Sequence, residues 1–314
     1  MAQGGKRRIL LIGSANMDLT LNMYKLPTAG ETVSDDGGIA YTPGGKGASA
    51  AIAFTKLGAD CVFATKLGAD LHGQKLYNYY KEVGINTSAI KVDHDYPTGL
   101  SAVIREADGT ERVIFYPGAN SNMTTENIID AFACEPDAVY LGFGLPFPTV
   151  LAAAKVASAK NIPIFIDASP AAKDDQLEAL PFVEIFSPNE NETYEYTGIM
   201  PTGSESSLRA ALALYRRVKC KYLVIKQGSR GAFIYDGKHY DMVMAYRPEK
   251  TVDPTAAGDA FTAAMTLEYL RTSSIKDSVK FGSAAAAITI SRAGAANSVP
   301  TESEVVDFMH NRRF

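Results

Sequence analysis

Residues 138–169 read AVYLGFGLPFPTVLAAAKVASAKNIPIFIDAS, and this stretch decides the fold class. AVYLG and IPIFID are short continuous apolar runs, while LAAAKVASAKN between them is long and alanine-rich, as a helix is. A strand, a helix and a strand in that order form a crossover unit, the connection that joins parallel neighbours. The alternation continues through QLEALPFVEIFSPNENE, SLRAALALYRRVK and YLVIKQGSRGAFIYDG. That pattern predicts an α/β fold, a mostly parallel sheet with helices on both faces.

Working back towards the N-terminus, RRILLIGSANMD predicts a buried strand at Arg8–Ile12 that breaks at Gly13. The following loop then carries Asn16 and Asp18 at the strand's carboxyl end, the edge where open α/β sheets bind ligands. GKGASAAIAFTKLGA predicts a helix stopping at Leu57-Gly58, and LHGQKLYNYYKEVGI one stopping at Gly84. In TGLSAVIREADGTERVIFYPGAN two alternating runs flank Asp108-Gly109, a hairpin signal. With the broken alternation of residues 19–43, residues 98–116 are expected to form a small antiparallel sheet. The last third predicts two helices, DAFTAAMTLEYLRT and SVKFGSAAAAITISRAG, in which Ala284 to Ala287 permit close approach. No linker or repeat divides residues 1–314, so one domain is expected.

Composition narrows the class. The 314 residues are 46% hydrophobic and 21% charged with net charge -4, an ordinary globular balance with no basic excess to attract nucleic acid. The apolar run ending at Gly13 is too short for a signal-peptide core, and none is long enough to span a membrane. Cys61, Cys134 and Cys220 are scattered without C-x-x-C spacing, so neither a disulfide framework nor a zinc site is indicated. A cytoplasmic protein is expected, without nucleic-acid or membrane partners.

The chemistry concentrates in TVDPTAAGDAF, residues 251–261. Aspartate is common at helix starts, so Asp259 alone suggests only a cap. Unpaired amides from Ala256 to Asp259 at a helix start would, however, form an anion site. Ala256, Ala257 and Gly258 leave it unobstructed, and Gly258 can adopt the strained turn this requires. A carboxylate there would compete with an anion, but it suits a base taking the proton of an attacking hydroxyl. In TPGGKGASAA, residues 42–51, the glycines fit neither G-x-x-x-x-G-K-[ST] nor G-x-G-x-x-G. They can expose amides to ligand hydroxyls, with Asn16 and Asp18 adding side-chain acceptors for a polyol. Asn189 and Glu192, three apart in SPNENE, read as a capped helix start or as holders of Mg2+ water ligands. Gly228 and Gly231 in IKQGSRGAF permit close approach of a nucleotide or simply form a hairpin.

From GSANMDL through LPTAGETV, GGKGAS, LGADLHG, YPGAN, SPNENE, QGSRGAF and DPTAAGDAF to RAGAANSVP, the chain resembles the ribokinase, or PfkB, family of carbohydrate and nucleoside kinases. The resemblance spans nearly the whole length. It implies a three-layer α/β/α fold with a small β lid, ATP as phosphoryl donor, Mg2+, a monovalent cation such as K+, and a homodimer paired through the lid. Position by position, it makes Asp259 the catalytic base and Ala256, Ala257 and Gly258 the anion hole. Asn16, Asp18, Gly44, Gly45, Lys46 and Ser49 would face the sugar. Asn189, Lys226, Gly228, Ser229, Gly231, Gly258 and Ser283 would face ATP, with Glu192 on Mg2+ through water. Asp253, Thr255, Thr289, Arg292, Gly294 and Ser298 would surround the monovalent cation.

The departures bear on the acceptor. Ser49 stands where ribokinases usually have Asn, Gly144 where they have Glu, and Lys226 where they tend to have Thr. The resemblance implies a kinase of ribose or a related sugar, with a nucleoside, a ketohexose or a sugar acid as alternative acceptor. A non-catalytic sensor of the same fold would have no use for Asp259. A nicotinamide-dependent dehydrogenase is disfavoured because no G-x-G-x-x-G follows the first strand.

Overall fold

Ile9 to Ile12 follow Arg8 as four successive apolar residues, none more than 1% exposed. A strand buried on both faces needs helices above and below. The computed structural model, which describes residues 6–34, 37–108, 110–173, 175–248 and 250–311, supplies them. The chain runs through β1 (Arg8–Ile12), β2 (Asn16–Met23), β3 (Ile39–Gly44), α1 (Lys46–Lys56), β4 (Asp60–Ala64), β5 (Lys66–Gly68), α2 (Leu71–Val83), β6 (Lys91–Asp93), β7 (Gly99–Glu106) and β8 (Glu111–Tyr116). It continues through α3 (Thr125–Ala131), β9 (Ala138–Gly142), α4 (Phe147–Ala159), β10 (Ile164–Asp167), β11 (Val183–Ser187), α5 (Glu190–Thr197) and α6 (Ser204–Tyr215). The remainder is β12 (Cys220–Lys226), β13 (Ala232–Tyr235), β14 (Tyr240–Val243), α7 (Ala257–Thr272), α8 (Ile275–Ile290) and α9 (Glu302–Asn311).

The main sheet has the order β14-β13-β12-β11-β10-β9-β1-β4. It is parallel from β4 to β12 and ends in the antiparallel β13 and β14. After β1 the chain fills one side with β4 and resumes on the other with β9, so the connections diverge between β1 and β9. Loops leaving strands at such a switch point open a crevice at the carboxyl edge. Ile9 and Leu11 pack towards α1, α7 and α8, and Leu10 and Ile12 towards α3, α4 and α6, giving the layer on each face that the sequence predicts. Helices α7 and α8 approach closely, since a Cβ on Gly282 would fall 2.7 Å from the Phe261 carbonyl oxygen.

A second sheet, β3-β2-β7-β8, stands over that edge. Its outer pairs are antiparallel as expected, whereas β2 and β7 at its centre run parallel. A parallel pair needs a long crossover, and α1, β4, β5, α2 and β6 provide it. Asn16 and Asp18 therefore lie on a strand and not on a loop, because Asn16 pairs with Gly44 on one side and Gly99 on the other. The break at Gly13 diverts the chain from one sheet into the next. Gly109, part of the expected hairpin turn, lies outside the described residues; the strands beside it pair in register, Arg105 with Glu111. Lys66–Gly68 pairs with β6 in a two-stranded parallel sheet.

Candidate active site

Helix α7 begins at Ala257, two residues before the expected start, so Asp259 is its third residue. The N-cap is Ala256, and Asp259 makes no capping hydrogen bond. A cap is thus not the role of this carboxylate. The strained torsion also lies elsewhere: Ala256 has φ 63°, while Gly258 is helical. Left-handed backbone is sparsely populated for residues with a side chain. What Gly258 contributes is space, since a Cβ there would meet no atom within 4 Å. The Ala257 amide reaches back to the Pro254 carbonyl at 3.3 Å, while those of Ala256, Gly258 and Asp259 have no protein acceptor among the described residues. Of the four amides expected to be unpaired, Ala257 is therefore engaged and three are left without a protein acceptor.

Asp259 is 5% exposed and lies at a cavity of about 530 Å3, together with Asn16, Asp18, Gly45, Lys46 and Ser49. Burial raises its pKa, with Asp167 adding repulsion, against the pull of Lys46 and Lys226. The result is a carboxylate more basic than an exposed aspartate. Lys46 caps the other side of this field: Asp259, then Asp167 and Glu192, hold its ammonium proton more firmly. The glycine-rich sequence around Lys46 points to its backbone, but its charge is what balances the carboxylates.

The cavity has a polar edge and an apolar one. On the polar edge Asp18 is pushed up in pKa by burial, opposed by a hydrogen bond to Ser101, and its buried Oδ1 has no partner. An orphan acceptor of this kind fits a ligand hydroxyl. Gly44 makes room for it, because a Cβ would fall 1.9 Å from Asp18 Oδ2. Gly44 thus backs Asp18 and is not among the residues lining the cavity, contrary to expectation. Asn16 was expected to accept, but its Oδ1 already accepts from Asn120 Nδ2 at 2.9 Å. The amide N–H group is what it offers. On the other edge stand Val113 and Phe115 of β8, with Phe143, Leu145, Pro146 and Pro170. Gly144 leaves this wall bare, and a Cβ there would sit 2.3 Å from Ser14 Oγ.

Beyond α7 lie the groups expected to face ATP. Asn189 and Glu192 form a reciprocal capping box, with Asn189 N and Nδ2 donating to the Glu192 carboxylate at 2.7 and 2.9 Å. Both readings of SPNENE are compatible with this, since a carboxylate bearing two such bonds keeps further lone pairs. Burial raises the Glu192 pKa, moderated by Lys226 and reinforced by Asp167. The Lys226 ammonium turns beneath α7 to Asp167 Oδ2 at 2.8 Å, where Thr262 Oγ1 also donates at 3.0 Å. The ammonium expected to line the nucleotide is thus held in a largely buried ion pair. Asp167 escaped sequence reasoning, although an acid ending a buried strand, IFID, is itself a signal. Its Oδ1 is buried without a partner. Gly228 has open space around it and Ser229 is exposed, as a nucleotide surface requires. Gly231, at φ 105°, is glycine because a Cβ would lie 1.9 Å from the Val243 carbonyl oxygen, a packing reason. The Ser283 hydroxyl accepts from the Tyr246 amide at 3.1 Å and so secures a loop.

The two loops expected to hold a monovalent cation are adjacent, for the Val252 and Asp253 amides both donate to the Ile290 carbonyl. Asp253 Oδ1 itself accepts from the Thr255 amide at 2.9 Å. The Thr289 and Gly294 carbonyls accept turn bonds from Arg292 and Asn297, and the Arg292 guanidinium pairs outward with Glu304. The Arg292 side chain is therefore committed to Glu304. Ser298 is buried beside these loops.

The site thus brings a buried carboxylate of raised pKa beside helix-start amides without protein acceptors, at a cavity with one polar edge. Residues 6–302 match the family described as pfkB family carbohydrate kinase. The chain belongs to the pfkB family of carbohydrate kinases. Among its pfkB relatives, the ribokinase of Lactococcus lactis is 33% identical, with 95% of each chain covered. A bifunctional ribokinase/ribose-5-phosphate isomerase A from Fructilactobacillus sanfranciscensis is 32% identical over 97% of this chain, which spans 56% of that longer protein. The solved structure of Arabidopsis thaliana ribokinase complexed with ribose and ATP superposes with TM-score 0.86 at 26% identity, covering 98% of this chain and 99% of that one.

Proposed function

We propose that the protein is an ATP-dependent sugar kinase in which Asp259 activates the acceptor hydroxyl. The observation that carries this is the Asp259 carboxylate: it is buried, raised in pKa, free of any capping bond, and set beside three unengaged amides. The acceptor hydroxyl passes its proton to Asp259 as its oxygen bonds to the γ-phosphorus, and the bond to the β-phosphate oxygen breaks to release ADP. The amides of Ala256, Gly258 and Asp259, with Lys46, receive the charge on the phosphoryl oxygens. Asn16, Asp18 and Ser49 orient the sugar.

Asp167 and Glu192 fit a magnesium ion held chiefly by water and phosphates, since Oδ1 of Asp167 is an unsatisfied buried acceptor close to a second carboxylate. No cluster of three metal-binding side chains exists among the described residues, and Mg2+ needs none. When bound, the ion supplies neutralising charge to the phosphates. Adjacent loops at Asp253 and Thr289 support a monovalent cation, K+ being the natural occupant.

The second sheet acts as a lid over the acceptor. Its strands expose Ile39, Tyr41, Ile114 and Tyr116, each at least half exposed, and apolar surface of that kind supports pairing of two lids in a homodimer. Among the described residues no helix is long and apolar enough to cross a membrane, and Cys61, Cys134 and Cys220 are free thiols, as in a reducing cytoplasm.

Ribose or a close relative is the first acceptor to consider. The bare apolar wall around Gly144 favours a second, a nucleoside, whose base would meet Phe143 and Leu145 without leaving hydroxyls unpaired. A phosphorylation panel with ATP, Mg2+ and potassium separates them. Turnover of nucleosides but not ribose would overturn the first, and turnover of no sugar or nucleoside would overturn the kinase reading itself.

A further inference from the structure

Asn120 is fully buried between the root of the second sheet and the loop after β1. Its Oδ1 accepts from the Ala15 amide at 2.9 Å, which fixes the orientation of its side-chain amide. Nδ2 then shares its two protons among the Ala15 carbonyl at 3.1 Å, the Pro117 carbonyl at 2.9 Å and Asn16 Oδ1 at 2.9 Å. The consequence passes to the next residue. Because Asn16 Oδ1 must face Asn120, the Asn16 N–H group faces the cavity. Gly99 protects the same bond, since a Cβ there would fall 2.3 Å from Asn120 Nδ2 and 2.4 Å from Asn16 Oδ1.

We infer that Asn120 is a positioning residue for the kinase reaction: it sets Asn16 as a hydrogen-bond donor to the acceptor and ties that setting to the root of the lid. Pro117, which takes one of its protons, directly follows β8, and Gly99 begins β7. β2 and β7 thus begin, and β8 ends, beside this one side chain. A rigid root keeps Asn16 oriented before the acceptor arrives, so less ordering remains for binding. The inference rests on the reading of this cavity as the acceptor site.

The test is a double-mutant cycle on the full-length protein. Asn120→Asp replaces the donor with an acceptor, which forces the Asn16 amide to turn over. Acceptor KM is expected to rise about tenfold, the worth of one hydrogen bond, with ATP KM unchanged. In an Asn16→Ala background the same change is expected to alter acceptor KM less than about twofold, since Asn120 acts through Asn16. An equal loss in both backgrounds would mean a merely structural role and would overturn the inference. If Asn120→Asp does not fold, Gly99→Ala disturbs the bond from the opposite side without altering a functional group. It should raise acceptor KM in the same way, and an unchanged KM would again overturn the inference. Wild type measured alongside keeps the two readings apart: an active wild type with indifferent variants refutes only the role of Asn120, and an inactive wild type refutes the site.

Discussion

Replacing Asp259 with Asn tests the base directly, because the change keeps shape and removes only the proton acceptor. General-base assistance is worth about 10²- to 10⁴-fold in rate, or ~3–5 kcal/mol of barrier, so kcat should fall by at least about a hundredfold. The structure also fixes what should not change. Asp259 makes no capping bond, so α7 loses nothing, and its charge is disfavoured by burial; the melting temperature should hold or rise. Removing one negative charge beside Lys46 and Lys226 should leave ATP KM unchanged or lower. The pH profile adds a sign. A base acts deprotonated, and burial raises the pKa of Asp259, so wild-type kcat should fall, as pH drops, at a pH above the ~3.9 of an exposed aspartate. That acid limb should vanish in the variant. Rapid-quench single turnovers with saturating ATP and acceptor measure the chemical step. A folded variant within about tenfold of wild type would refute the assignment.

The same geometry makes three other outcomes measurable. Asp18 has a raised folded pKa, so its ionised form destabilises the protein at neutral pH and the loss fades as pH falls through that value; Asp18→Asn should stabilise the ligand-free protein by about 1 kcal/mol, ~2–4 °C in Tm, while raising acceptor KM, and a fall in Tm would contradict this. Lys226→Met strands Asp167 and Glu192, and should cost about 3–5 kcal/mol of stability by urea denaturation, mostly regained in Lys226→Met/Asp167→Asn; a loss under about 1 kcal/mol would show the pair to be incidental. Potassium should stimulate turnover through the loops joined at Ile290, a prediction ruled out by equal rates in potassium and in a large organic cation.

Much of the fold was legible because burial writes itself into composition. A strand such as RILLI, apolar at four successive positions, has few alternatives to a two-sided burial, and the alternation at 138–169 then dictates parallel neighbours. The parallel pairing of β2 with β7 was not legible. Period-two patterning says which face of a strand is buried, but it carries no information about the direction of a partner reached only after α1, β4, β5, α2 and β6. The two-stranded pairing of Lys66–Gly68 was hidden for a related reason, since three residues carry no periodicity.

The site was legible in its residue types and less so in their orientations. AAGD announces small side chains beside an acid, yet which residue takes the positive φ depends on how Pro254 and Thr255 lead into the helix; it fell on Ala256, and Gly258 was left to provide open space. Asp167 and Lys226 are 59 residues apart, and nothing local to either shows that they pair. Asn16 is the sharpest case. Its amide carries a donor and an acceptor, so sequence alone leaves its role open. The choice is made by the Ala15 amide, which orients Asn120, which in turn orients Asn16. A backbone N–H, present at every residue but proline, thereby decides which end of a binding side chain meets the substrate, and that decision exists only once β1, β2 and the segment after β8 have come together.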